Sequence, residues 1–188
     1  GRYRSDGSFY PFHQETDDGY DAIEWAGAQP WSTGKVGMFG TSYVGATQWL
    51  AAVGAPPSLK AIVPAFTASD YYEGWTYQGG AFQWGFMLNW VLPYLTTADL
   101  IRKSWREDVT DFAERREVML DNVDDGNEVA WTLPLRDFPV DADLSPYFLE
   151  WLSHPTRDEF WTSCSIEERH DKVAVPALSI AGWYDIFL

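Results

Sequence analysis

The 188-residue sequence holds a single cysteine, Cys164. That excludes an internal disulfide, and one thiol says nothing firm about the compartment. Histidine is scarce as well, with three in all: His13, His154 and His170. No H-x-x-x-H or clustered Cys/His spacing is present, so no metal centre is expected. Basic residues are few: 13 Lys and Arg stand against 28 Asp and Glu, for a formal net charge of −15. A phosphate-binding surface needs clustered Lys and Arg, so nucleic acid is not an expected partner. The same charge argues against anionic membranes. The longest apolar stretch, 79–95, contains Gln83 and Asn89 and is shorter than the ~20 residues a spanning helix needs. Internal repeats and low-complexity segments are absent.

What is present is aromatic. Eleven Trp, ten Tyr and eleven Phe make up 17% of the chain. Such residues dominate buried area and also line apolar ligand pockets. Hydrophobic residues at 46% and charged residues at 22% suit a folded globular chain. The length fits one domain, or one domain with an insertion. The first residue is Gly1, no signal segment follows it, and Leu188 directly follows an apolar run. The expectation is a piece of a longer protein.

Residues 1–14 read as a loop. Residues 15–28 read as a helix capped by Thr16 or Asp17, with acids crowding its first turns. A buried strand is expected at 35–39, a helix from the Gly40–Gly45 turn to about Val53, and a second buried strand at 59–63. This helix–strand alternation is the rhythm of a parallel sheet. Residues 69–172 then read mostly as helix. One aromatic helix is expected over 81–94. Another is expected over 97–121, with Thr96-x-x-Asp99 as a capping box, and a third opens at Ser145-Pro146. Residues 173–181 return to strand. The fold class is therefore α/β. Residues 1–68 form the first part of the core, 69–172 a helical cap insertion, and 173–188 the return strand with an acid loop.

The chemistry centres on Ser42. A nucleophilic serine needs an exposed Oγ, nearby backbone N–H donors and a base. A tight strand-to-helix turn supplies the first two. Gly40 and Gly45 give room where such a turn crowds its flanks. The pattern G-x-S-x-x-G also describes an ordinary glycine-rich turn; the expected strand before it and helix after it put the nucleophile on equal terms with that reading. Asp185 follows the 173–181 strand, where functional groups of open α/β sheets sit. An acid there can orient an imidazolium, although on position alone a solvated loop Asp is the better reading. The histidines do not fit: the α/β-hydrolase order is Ser, acid, His, and all three precede Asp185.

Gly1-Arg2-Tyr3-Arg4-Ser5-Asp6-Gly7, Asp18-Gly19-Tyr20-Asp21 with Glu24-Trp25, and the run from Gln29-Pro30-Trp31 to Met38 together resemble the CocE/NonD hydrolases. That family includes X-Pro dipeptidyl-peptidase-like serine hydrolases. Gly40-Thr41-Ser42-Tyr43-Val44-Gly45 matches its G-x-S-Y-x-G motif. The strand at 59–62, Gly79-Gly80-Ala81, His154-Pro155 with Asp158, and Ala181-Gly182-Trp183-Tyr184-Asp185 match as well. The resemblance spans nearly the whole chain. It implies a partial α/β-hydrolase in which Ser42 is the nucleophile, the Tyr43 N–H an oxyanion donor and Asp185 the triad acid. It also implies that Trp75, Trp90 and Phe187 contact the acyl group, the alternative being that the tryptophans are only cap core. The family's triad His lies downstream of the acid, and its second oxyanion donor, a Tyr hydroxyl, lies upstream of Gly1.

The implied function is cleavage of carboxylic ester or amide bonds through an acyl-enzyme. The substrate would be a small-molecule ester, amide or peptide, and no cofactor is implied. An X-Pro aminopeptidase is the alternative within the class, and a catalytically inactive interaction domain the alternative outside it. Homo-oligomerisation and compartment stay open. Without its histidine, the isolated chain is expected to be nearly inactive.

Overall fold

The computed structural model describes residues 2–106, 111–124 and 126–187. By contacts the chain divides into two compact units: Tyr10–Gly80 with Thr156–Leu188, and Gly1–Phe9 with Ala81–Pro155. These boundaries differ from the sequence-derived 69 and 172. The reason is aromatic: Tyr71, Trp75 and Tyr77 in one segment, and Trp161 in the other, are buried and belong to the sheet-bearing unit.

In that unit, α1 (Glu15–Gly27) precedes β1 (Val36–Thr41). Helix α2 (Tyr43–Val53) and β2 (Leu59–Ala65) follow. The N-cap of α1 is Gln14, ahead of the expected Thr16 or Asp17, and it makes no side-chain cap bond. Glu15, Asp17 and Asp18 in its first turn complement the helix dipole instead. Strands β1 and β2 are parallel, in register from Gly37↔Ala61 to Thr41↔Ala65. Ile23 of α1, Ala51 and Ala52 of α2, and Leu59 and Ile62 of β2 form the buried core against the sheet. Two glycines let α1 approach closely. A Cβ on Gly19 would lie 2.6 Å from the Ala51 Cβ, and one on Gly27 2.4 Å from the Ser58 hydroxyl. Glu24 then closes the contact by accepting the Ser58 backbone N–H at 2.7 Å.

The expected strand at 173–181 runs parallel to the other edge of β2, but pairs only at Ile62↔Ala177 and Ala65↔Ile180. Prolines explain the interruption. Ile62 N–H donates to Pro176 O at 3.1 Å, Ile180 N–H to Pro64 O at 3.0 Å, and Phe66 N–H to Ile180 O at 2.8 Å. The intervening rung would start from residue 64, and Pro64 has no N–H to give. The order across the sheet is thus β1, β2, then residues 177–180. Thr41, Ala65 and Ile180 lie in one row.

The second unit is helical. The aromatic helix expected over 81–94 is shorter: α3 spans Trp84–Trp90 and passes into a π-helical turn at Val91–Thr96. Pro93 sits inside that turn, where its missing N–H and bulky ring cannot fit an α-helical ladder. The helix expected over 97–121 is two, α4 (Thr97–Arg106) and α5 (Phe112–Asp124). Residues 107–110 of that expectation lie outside the described residues. Thr96 does not cap α4, because the helical path is already running when it arrives. Its hydroxyl donates to Val91 O at 3.0 Å and meets the Ser145 hydroxyl at 2.6 Å. A short α6 (Gly126–Val129) precedes α7 (Pro146–Ser153), which opens on proline as expected. Tyr147, Phe148 and Trp151 of α7 are buried.

The α1–α2 approach carries a testable consequence. Gly19→Val must displace the Ala51 backbone and is expected to lower unfolding free energy by about 1–3 kcal/mol. Gly85→Ala, in open space on α3, is expected to change stability by less than about 1 kcal/mol, in the stabilising direction. Chemical denaturation of both variants checks the pair.

Candidate active site

The chain leaves β1 at Thr41 and enters α2 at Tyr43, so a single residue makes the turn. That residue, Ser42, has φ 57° and ψ −127°. A non-glycine residue held there is strained by roughly 1–3 kcal/mol and persists only where its surroundings over-determine it. Three backbone bonds hold it. Ser42 N–H donates to Ala65 O at 2.9 Å, while Ser42 O accepts the N–H groups of Gly45 at 2.8 Å and Ala46 at 3.1 Å. The side chain is exposed.

The flanking glycines are required by contact. Gly40 has φ 156°, and a Cβ on it would lie 2.7 Å from Val44 Cγ2. A Cβ on Gly45 would meet the Thr67 side chain at 2.9 Å and Ala65 O at 3.1 Å. This also explains why the second glycine comes three residues after the serine and not two. Val44 is 54% exposed, while residue 45 faces the end of β2.

Tyr43 occupies the first position of α2, where helix geometry turns the backbone N–H outward at the positive end of the dipole. Its hydroxyl donates to Glu15 Oε1 at 2.6 Å and accepts the Phe12 N–H at 3.1 Å. Burial, followed by the Glu15 carboxylate, pushes its pKa well above the ordinary tyrosine value. The hydroxyl therefore stays protonated and anchors the helix start to α1. Sequence reasoning missed Glu15 and Phe12, which lie in the loop and first helical turn and carry no spacing signal.

Asp185 lies five residues past Ile180, beyond the same C-terminal end of the sheet as Ser42. Its N–H donates to Gly182 O at 3.0 Å, and its Oδ1 accepts the Phe187 N–H at 3.4 Å. Gly182 lies close to Phe66: a Cβ there would sit 3.2 Å from the ring, which would have to shift by a few tenths of an ångström. The Asp185 Oδ2 is buried and meets no donor among the described residues. None of the three histidines serves it. The His13 ring packs on Phe160 at 4.6 Å, His154 ends α7, and exposed His170 packs on Trp49 at 6.3 Å.

An aromatic chain links the two turns. The Phe187 ring stacks on Trp75 at 4.3 Å and 23°. Trp75, only 1% exposed, meets the Tyr43 ring edge-on at 6.3 Å and Phe12 at 5.1 Å. Trp90 belongs to the helical unit, half-buried, and stacks with Phe86 at 5.8 Å and Trp151 at 5.9 Å. Among the described residues no group of acids, histidines and cysteine could hold a metal ion, and no helix is long and apolar enough to cross a membrane.

The model of the X-Pro dipeptidyl-peptidase (S15 family) matches residues 1–188. Cocaine esterase of Rhodococcus sp. (strain MB1 Bresler) is 37% identical over 191 residues, covering 100% of this chain and 33% of that protein. Among solved structures, an aminopeptidase from the marine sediment archaeon Thaumarchaeota archaeon aligns with TM-score 0.64 at 24% identity, covering 96% of this chain and 30% of its own. A CocE/NonD family hydrolase from Staphylococcus aureus aligns with TM-score 0.59 at 24% identity, covering 93% and 25%. The chain belongs to the X-Pro dipeptidyl-peptidase (S15) family, has a partial α/β-hydrolase fold, and spans about a third of the length of the curated relative it matches in full.

The strain at residue 42 is measurable. Ser42→Ala keeps a Cβ in the same backbone conformation, whereas Ser42→Gly removes it. Strain relief less glycine's entropy cost should make Ser42→Gly the more stable by about 1 kcal/mol. Equal denaturation midpoints would show an unstrained turn.

Proposed function

We propose that the protein carrying this chain is a serine hydrolase that cleaves carboxylic ester or amide bonds through an acyl-enzyme. The observation that carries the reading is the strained Ser42 turn between β1 and α2, with Asp185 beyond the same C-terminal end of the sheet. In this reading the Ser42 hydroxyl attacks the substrate carbonyl. Its proton passes to a histidine, and the Tyr43 N–H stabilises the developing oxyanion. Collapse of the tetrahedral intermediate expels the alcohol or amine, which takes the proton back, and water then repeats the sequence to release the acid. Asp185 holds the histidine in the correct tautomer. Its buried Oδ2, without a donor among the described residues, supports this role, because a buried carboxylate oxygen calls for a hydrogen-bonding partner. The division into α/β core and helical cap is part of the proposal, as are the ester, amide or peptide substrates.

Membership of the family supports both esterase and X-Pro peptidase readings. The aromatic residues favour the ester reading with an apolar acyl group. Phe187, backed by Trp75, is proposed to contact the acyl group, and Trp90 is proposed for that role from the family resemblance alone.

In the full-length protein, a fluorophosphonate is expected to label Ser42, read by mass spectrometry of the adduct, and Ser42→Ala is expected to abolish labelling. An adduct on another serine with Ser42→Ala still labelled would contradict the assignment. Separately, Phe187→Ala and Trp90→Ala are expected to lower kcat/KM for benzoyl esters more than for acetyl esters, by about tenfold each. Unchanged ratios in folded variants would reject the pocket role.

A further inference from the structure

We infer that Gln48 is a positioning residue that sets the geometry of the Ser42 turn, an inference that rests on reading Ser42 as the nucleophile. Gln48 lies in α2 at 1% exposure, one of the few buried polar side chains of the unit. Its three recorded hydrogen bonds all go to backbone. Nε2 donates to Val44 O at 2.8 Å and to Gly40 O at 3.2 Å. Oε1 accepts the Val63 N–H at 3.0 Å. The orientation of the amide follows from its partners, because two carbonyls need donors and one N–H needs an acceptor.

The three partners surround the serine. Gly40 is two residues before Ser42 on β1, Val44 two residues after it on α2, and Val63 sits on β2. A Cβ on Gly40 would come within 2.7 Å of Val44 Cγ2, so the two flanks are pinched together at this point. The other backbone bonds of the turn each grip one side: Ser42 N–H to Ala65 O, and Gly45 and Ala46 to Ser42 O. Gln48 ties the incoming strand, the outgoing helix and the neighbouring strand through one planar group. A strained residue must be over-determined by its surroundings, and Gln48 supplies that constraint from beneath. It touches neither substrate nor reacting atoms in the proposed mechanism. Its effect passes through the position of the Ser42 Oγ and the Tyr43 N–H.

Gln48→Met keeps length and packing but offers no bond to Gly40, Val44 or Val63. In the full-length protein it is expected to slow fluorophosphonate labelling and kcat by about 10²-fold, the scale of a small misplacement of a reacting group. KM is expected to stay within about twofold, since ground-state binding is untouched. Gln48→Glu keeps the acceptor for Val63 but turns an oxygen toward two carbonyls, and is expected to lose at least as much. It carries the test if Gln48→Met does not fold. Ile23→Ala, a core truncation away from the turn, is the control: it lowers the melting temperature while the folded protein labels at the wild-type rate. A folded Gln48→Met labelling at the wild-type rate, with Ser42→Ala silent, overturns this inference alone. Ser42→Ala still labelled overturns the nucleophile reading and this inference with it.

Discussion

Everything in the sheet-bearing unit answers to one backbone constraint. The chain must turn from a parallel strand into a helix in a single residue, and that residue is a serine at φ 57° and ψ −127°. An L-residue adopts such a conformation only under compulsion. The surroundings supply it. Gly40 and Gly45 remove the two Cβ atoms that would collide with Val44 and with the end of β2, and Ala65 O fixes the Ser42 N–H. Gln48 ties the flanks from below. Strain that would otherwise destabilise the fold is thereby used to lift one hydroxyl clear of the sheet.

A turn of this kind needs a fixed floor, and the aromatic content provides one. The Tyr43 ring reaches down from the first position of α2 to Phe12 and Trp75, with its hydroxyl locked to Glu15. Trp75 in turn stacks on Phe187, two residues past Asp185. The Ser42 turn and the Asp185 turn are consequently parts of one packed cluster rather than two independent loops. The chain's unusual aromatic share therefore serves packing beneath the site as well as any contact with substrate. The carboxylate at the far end holds Oδ1 to backbone and keeps Oδ2 in a buried position facing no donor among the described residues. That leaves a buried acceptor without a partner among the described residues, and a histidine donor would supply one.

Much of this was legible in the sequence, because the signals were local. The Lys35–Phe39 run, the glycine-flanked serine and the apolar 59–63 run each identify their element without long-range help, so β1, α2 and β2 fall where expected. Where expectation and structure part, a non-local or steric term decides. The 173–181 strand is reduced to two bridges because Pro64, on a different strand, withholds a rung. The aromatic helix stops at Trp90 because Pro93 forces a π-helical turn. Thr96 resembles a cap in sequence but spends its hydroxyl on Val91 and Ser145. Gln48 left a trace that sequence reading passed over: a lone amide in the otherwise apolar second half of a helix that opens directly after a candidate nucleophile. Glu15 and Phe12 left none, since their partner Tyr43 is about thirty residues away.

The most direct test is a crystal structure of the full-length protein after reaction with a phosphonate ester. The account predicts phosphorus bonded to the Ser42 Oγ and a phosphoryl oxygen within hydrogen-bond reach of the Tyr43 N–H. It also predicts a histidine nitrogen about 2.6–3.2 Å from the Asp185 Oδ2. Density showing an unmodified Ser42, or Asp185 facing solvent or a residue other than histidine, would contradict it.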